Sequence, residues 1–155
     1  MEGYTLQRLL NTLGVSAKEL DMSLLRAADW GISIDSRTVR KGDVFFAIKG
    51  DRFNGADYVD DANAAGAVFS VVNADEKKTR SFTSPVVSVN DTVKALGAAA
   101  KEYRSFFEGD VVAVTGTSGK TTAKEMMLAV LKRKWAVHGT KGNFNNQIGL
   151  PLSIF

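Results

Sequence analysis

The sequence predicts an α/β protein. A small mixed α/β domain is expected over residues 1–84, followed over residues 85–155 by a linker strand and helix and by the start of a second, parallel-sheet domain. Three observations carry this. Short runs of β-formers ("GISID", "VFFAI", "AVFSVV", "PVVSV") alternate with segments of helical apolar spacing. The run "DVVAVTG" is continuously apolar, as suits a strand covered on both faces in a parallel sheet. A glycine-rich stretch, "TGTSGKTT" at residues 115–122, joins that run to an amphipathic segment.

In chain order, Leu6, Leu9, Leu10 and Leu13 recur at helical spacing and Gly14 supplies a stop, so residues 4–13 read as a helix. "GISID" ends at Asp35 and "VFFAI" comes next at 44–48, with Gly42 available for the turn between them. "NGADYVDDANAAGA" reads as a helix ending near Gly66, and "AVFSVV" as a buried strand. Polar "NADEKKTRSFTS" is expected to be a loop or irregular edge, and "PVVSV" a further strand. Asn90 or Asp91 can cap a helix with the stripe Val93, Leu96, Gly97, Ala100 and Phe107. Residues 119–134 set Ala123, Met126, Met127, Val130 and Leu131 on one face. Lys132, Arg133 and Lys134 then complement the macrodipole in the last turn as solvated surface. "AVHGT" reads as the next strand, so residues 110–139 form one strand–loop–helix–strand unit.

Composition narrows the chemistry. With 45% apolar and 24% charged residues the chain reads as a soluble globular protein. No apolar run reaches the roughly 18 residues of a membrane span, and the N-terminus lacks a signal-peptide layout, so the expected location is the cytoplasm. The absence of cysteine excludes disulfides, thiolate metal sites and cysteine nucleophiles. The single histidine, His138, reads as a strand-end residue. A net charge of +3 suits an anionic substrate without pointing to one, and neither nucleic acid nor membrane is expected as a partner.

"TGTSGKTT" has the chemistry of a phosphate cradle. Successive backbone N–H groups curl around phosphate oxygens at a helix N-terminus, and Gly116 and Gly119 permit the close approach. The ATP-binding set is Gly116, Thr117, Ser118, Gly119, Lys120, Thr121 and Thr122. Within it Lys120 reaches the β- and γ-phosphates as the catalytic cation, and the Thr121 hydroxyl is the candidate Mg²⁺ ligand. The general phosphate-loop spacing would put its first glycine at Val114, so this is a shorter form, T-G-x-x-G-K-T-T.

"TGTSGKTTAKEM" together with "GNFNNQIGLPLSIF" resembles the Mur ligases of bacterial cell-wall synthesis, and within them the MurF type. "DSRTVRKGDVFFAIKGDRFNGADYVDDANAAGA" resembles the UDP-binding N-terminal domain of that family, so the likeness runs from about residue 34 to the end. The family often carries Asn where Ser118 stands, but backbone groups supply most of the cradle.

The resemblance implies an enzyme that uses ATP and Mg²⁺ to make an amide bond. The γ-phosphate passes to the terminal carboxylate of UDP-N-acetylmuramoyl-tripeptide, giving an acyl phosphate, and the amine of D-alanyl-D-alanine then displaces phosphate. It also implies that Ile34 and Ser36 face the uridine and that Asp51, Arg52 and Phe53 form a loop over the nucleotide. Arg52 could pair with the diphosphate and Phe53 could lie against the uracil. The competing reading puts Phe53 in the core, leaves Arg52 solvated and makes Ser36 a strand end. Asn145 and Asn146 are expected beside the substrate, or as Asx-turn caps of a helix starting near Gln147; the two roles are compatible.

In the family the central domain continues further, with an acidic metal ligand, a carbamylated lysine that helps hold a second magnesium, and a third domain for the amino substrate. The expectation is therefore an N-terminal fragment, inactive alone. Its segments 110–115, 135–138 and "IGLPLSIF" are expected to lack packing partners and to favour self-association. Two other readings stay open: a diamino-acid-adding Mur ligase, and a nucleotide-binding module that does not catalyse.

Overall fold

In two of the strands almost no residue faces solvent: Val44, Phe45 and Phe46 are all buried, as are Phe69 through Val72. That pattern belongs to strands covered on both faces. The computed structural model describes residues 3–16, 20, 25, 29–142 and 144–155. Four strands, β1 (Ile32–Ser33), β2 (Val44–Phe46), β3 (Phe69–Asn73) and β4 (Val86–Val89), pair in parallel in the order β1-β2-β3-β4.

Parallel pairing forces each connection to cross a face of the sheet. The helices α1 (Leu6–Leu13) and α4 (Thr92–Arg104) cover one face. Leu6, Leu9 and Leu10 meet Ala95, Leu96 and Ala99 there, over Val44, Phe46, Val71 and Val87. On the other face α2 (Val59–Ala64) brings Val59 and Ala62 against Phe45, Ala67 and Val72. Side chains two apart on a strand therefore serve the same core.

The helix ends obey capping chemistry. The Thr5 hydroxyl accepts from the Arg8 N–H at 3.3 Å, and Gly14 closes α1 with φ 67°. Asp91 accepts from the N–H groups of Val93 and Lys94 at 2.9 and 3.0 Å, which selects it over Asn90 as the cap of α4.

Several elements differ from expectation. The polar stretch read as a loop contains a helix, α3 (Ala74–Thr79), with Asp75 and Glu76 in its first turn and Lys77 and Lys78 in its last. It buries no residue, so it carries no apolar stripe to read; its charge order matches the macrodipole instead. The buried face of α4 is Thr92, Ala95, Leu96, Ala99 and Ala100, and Phe107 lies past its end and exposed. Alanines give a close-packed face that a search for large apolar residues passes over. On the far side of residue 84, β4 pairs with β3 and α4 packs on α1.

Beyond Arg104 the chain contains α5 (Lys120–Leu131) and α6 (Gly149–Leu152). The expected strands at 110–115 and 136–140 belong to no sheet: Val111 and Val112 are 60% and 61% exposed. A parallel strand obtains its hydrogen bonds from neighbours, and no described residue pairs with these segments. The terminal "IGLPLSIF", expected to lack a partner, has one. Ile148, Leu152 and Phe155 pack against the first core, and the Phe155 ring stacks on Tyr103 of α4 at 5.5 Å. Among the described residues no helix is long and apolar enough to cross a membrane.

Candidate nucleotide-binding site

Gly116 (φ 145°) and Gly119 (φ 75°) both occupy backbone conformations that L side chains rarely adopt. Gly119 is the N-cap of α5, and having no side chain it leaves the helix end uncapped. The first intrahelical bond runs from the Ala123 N–H to the Gly119 carbonyl at 2.9 Å. The N–H groups of Lys120, Thr121 and Thr122 therefore precede the ladder and converge as donors at the positive end of a 12-residue helix. The Lys120 ammonium donates to the Gly116 carbonyl across the loop. Residues 116–119, Thr121 and Thr122 are exposed. This donor set fits phosphate oxygens.

For Mg²⁺ the loop offers the exposed Thr121 hydroxyl, and the described residues contain no cluster of three His, Cys, Asp or Glu side chains. One hydroxyl suits magnesium, which keeps waters and binds largely through substrate phosphates.

A second lysine of α5, Lys124, anchors the segment after the helix. Its ammonium donates to the carbonyls of Thr140 and Gly142 at 2.6 and 3.2 Å and pairs with Glu125 at 2.9 Å. The 139–142 segment is thereby drawn onto α5, where a Cβ on Gly139 would lie 2.6 Å from the Leu128 side chain. Within the Asn-rich loop, the side-chain oxygen of Asn146 accepts from the N–H groups of Ile148 and Gly149 at 3.1 and 2.7 Å. Asn146 thus performs the Asx-type capping. Asn145 is exposed, and Asn143 of that stretch lies outside the described residues.

The residues expected around uridine lie just past the carboxyl ends of two neighbouring strands, the usual location of ligands in open parallel sheets. Ile34 comes directly after β1 and leans on the core; Ser36 opens a 3-10 turn, Ser36–Thr38. The turn is capped by Asp35, whose carboxylate accepts from the Arg37 N–H at 3.0 Å and is clasped by its guanidinium at 2.9 and 2.6 Å. Those side-chain hydrogen bonds, then the backbone one, hold the Asp35 carboxyl down to about 2. After β2 the chain makes a tight hairpin: Lys49 bridges Asn54, and the Gly50 N–H donates to the Phe53 carbonyl at 2.9 Å. Asp51, Arg52 and Phe53 form its exposed tip, and Phe53 at 70% exposure is not a core residue. Asn145 and Asn146 make no hydrogen bond to either group among the described residues.

Sequence reasoning passed over Glu76. From α3 its carboxylate accepts from the Asn54 amide at 2.7 Å and from the Arg80 guanidinium at 2.6 Å, with Lys49 at 4.0 Å. Arg80 also pairs with Asp57. The signal available was the acid-then-base order of "DEKK", which marks a helix without showing where it points.

Residues 30–104 match the family model described as the Mur ligase family, catalytic domain, and residues 114–155 match the Mur ligase middle domain. The chain belongs to the Mur ligase family. The UDP-N-acetylmuramoyl-tripeptide–D-alanyl-D-alanine ligase of Bacillus subtilis is 40% identical over 80% of this chain and 27% of its own length. A crystal structure of MurF ligase from Thermotoga maritima, in complex with ADP, aligns with TM-score 0.70 and 40% identity over 87% of this Mur ligase chain and 30% of that one. MurF from Acinetobacter baumannii aligns with TM-score 0.80 and 30% identity over 97% and 32% of the two chains. A 2,6-diaminopimelate ligase of the family, from Aquifex aeolicus, is 34% identical over 89% of this chain and 28% of its own. The chain spans under a third of the length of these relatives.

Proposed function

We propose that this chain carries the ATP- and UDP-handling elements of a cytoplasmic ligase that joins D-alanyl-D-alanine to UDP-N-acetylmuramoyl-tripeptide in peptidoglycan synthesis. The observation that carries the reading is the donor set at the start of α5: three uncapped N–H groups and a lysine, entered from a glycine with φ 75°. The boundary between the two parts is assigned to residues 105–113, between the segments that match the two family models.

The chemistry then has a division of labour. Gly116 to Thr122 hold the β- and γ-phosphates of ATP, and Lys120 leaves the Gly116 carbonyl for their oxygens. Its charge there stabilises what develops on the phosphoryl group as it passes to the carboxylate. Thr121 is the protein ligand for Mg²⁺, which neutralises phosphate charge when bound. Ile34, Ser36, Asp51, Arg52 and Phe53 hold the UDP end of the acceptor, with Arg52 on the diphosphate and Phe53 against the uracil. Asn145 and Asn146 border the acceptor, Asn146 through a loop that its own capping bonds fix. Sequence likeness to the D-alanyl-D-alanine-adding relatives supports this acceptor over the diamino-acid-adding one.

Calorimetry with ADP, MgATP and UDP on the 155-residue chain tests this. MgATP and UDP bind independently, and Lys120→Ala weakens MgATP by at least about tenfold, the loss of one charge-assisted contact, with UDP unchanged. No binding of adenine nucleotide to the wild type would overturn the reading. The chain by itself is expected not to turn over; acceptor-dependent ADP release above the Lys120→Ala background would refute that part.

A further inference from the structure

We propose that Glu76 is a positioning residue for the UDP end of the substrate, acting through the hairpin of residues 49–54; this rests on the reading of that hairpin as the uridine side. The exposed tip, Asp51 to Phe53, has no side-chain hydrogen bond or ion pair of its own among the described residues, so its direction is set at its base. Both base residues meet the same carboxylate. Asn54 donates its amide to Glu76 at 2.7 Å while its side-chain oxygen caps the next turn by accepting from the Ala56 N–H at 3.1 Å. Lys49 on the other strand stands 4.0 Å from the same oxygen. The second carboxylate oxygen takes Arg80, which also holds Asp57 in the 3-10 turn after the hairpin. Behind the base, a Cβ on Gly55 would lie 2.6 Å from the Ile48 nitrogen, so the backbones there are in close contact.

Burial separates Glu76 from ordinary surface charge. Its side chain is 12% exposed, whereas the neighbouring Asp75 is 95% exposed and pairs with Lys78 on the surface of the same helix. The network of Lys49, Arg80, Glu76 and Asp57 sums to no net charge, so it contributes direction to the tip and no attraction for an anion. A shielded carboxylate with three donors is costly to replace in part, because the remaining donors lose their partner.

Glu76→Gln separates geometry from charge. It removes one negative charge near a site for a diphosphate, so an electrostatic role would make UDP bind more tightly. Positioning makes it bind more weakly, by about threefold for Glu76→Gln and about tenfold for Glu76→Ala, in line with loss of a charged hydrogen bond. Calorimetry with UDP and, on the same samples, with ADP gives the readout, and ADP affinity stays unchanged if the fold is intact. In parallel, ¹⁵N relaxation on Gly50 to Phe53 without ligand shows lower order parameters in both Glu76 variants and unchanged ones in Asp57→Asn. Tighter or equal UDP binding with an unchanged hairpin overturns the proposal while leaving the uridine reading standing. A wild-type chain that fails to bind UDP overturns both.

Discussion

Asp35 and Arg37 show how two residues, two positions apart, shape the turn that carries Ser36. Both carboxylate oxygens are engaged by one guanidinium, and the Arg37 N–H adds a third bond. The carboxyl titrates near 2 instead of its ordinary 3.8. Since the folded value is depressed, the clasp contributes in full above the ordinary value and is lost as the pH falls through about 2. A carboxyl-detected NMR titration is expected to find that midpoint in the wild type and one near the ordinary value in Arg37→Ala; identical midpoints would show that the clasp does not form in solution. At this scale the special backbone of the glycine-rich loop was readable, because Gly116 and Gly119 both adopt the conformations that glycine alone takes readily. Glu76 and Lys124 were not, since a charged residue on a helix looks alike whether it faces solvent or a neighbouring loop.

Helix α4 depends on its first turn, where Asp91 takes two N–H groups and the Asn73 side chain takes that of Thr92 at 2.9 Å. Asp91→Ala is expected to lower stability by about 1 kcal/mol in urea unfolding, with Asn90→Ala near neutral. Equal losses would reassign the cap. The strands with β-branched and aromatic runs were legible, and so were α1 and α2 from their spacing and stops. α3 was not, because a helix with no buried apolar face has only propensity and charge order to announce it. The apolar runs at 110–115 and 136–140 have strand-like composition, but strand formation needs a hydrogen-bonded neighbour and composition does not supply one.

Across the whole molecule the two parts are packed differently. The sheet of residues 32–89 has helices on both faces, whereas α5 buries no residue; Met126, Val130 and Trp135 are exposed, as are Val111 and Val112. Exposed apolar area of this kind favours association. We expect the chain to self-associate with rising concentration in sedimentation analysis, and Met126→Lys with Val130→Lys to shift it toward monomer. A wild-type chain that stays monomeric throughout would remove the expectation. At the chain end Ile148, Leu152 and Phe155 pack on the first core, while Leu150 is exposed.

The α/β class, the buried character of β3 and the positive-φ glycines ahead of α5 were determined by the sequence by itself, since each rests on local pattern, whereas the parallel sheet was expected after residue 110 and lies within residues 32–89. Tertiary structure alone decided that β4 pairs with β3 and α4 packs on α1, that the chain end folds back onto Tyr103, and that Glu76 grips the hairpin. Those outcomes depend on which surfaces meet across long stretches of chain. Periodicity marks the apolar face of an element and leaves its partner unspecified, and a polar side chain acquires its role from the donors that the fold brings within 3 Å of it.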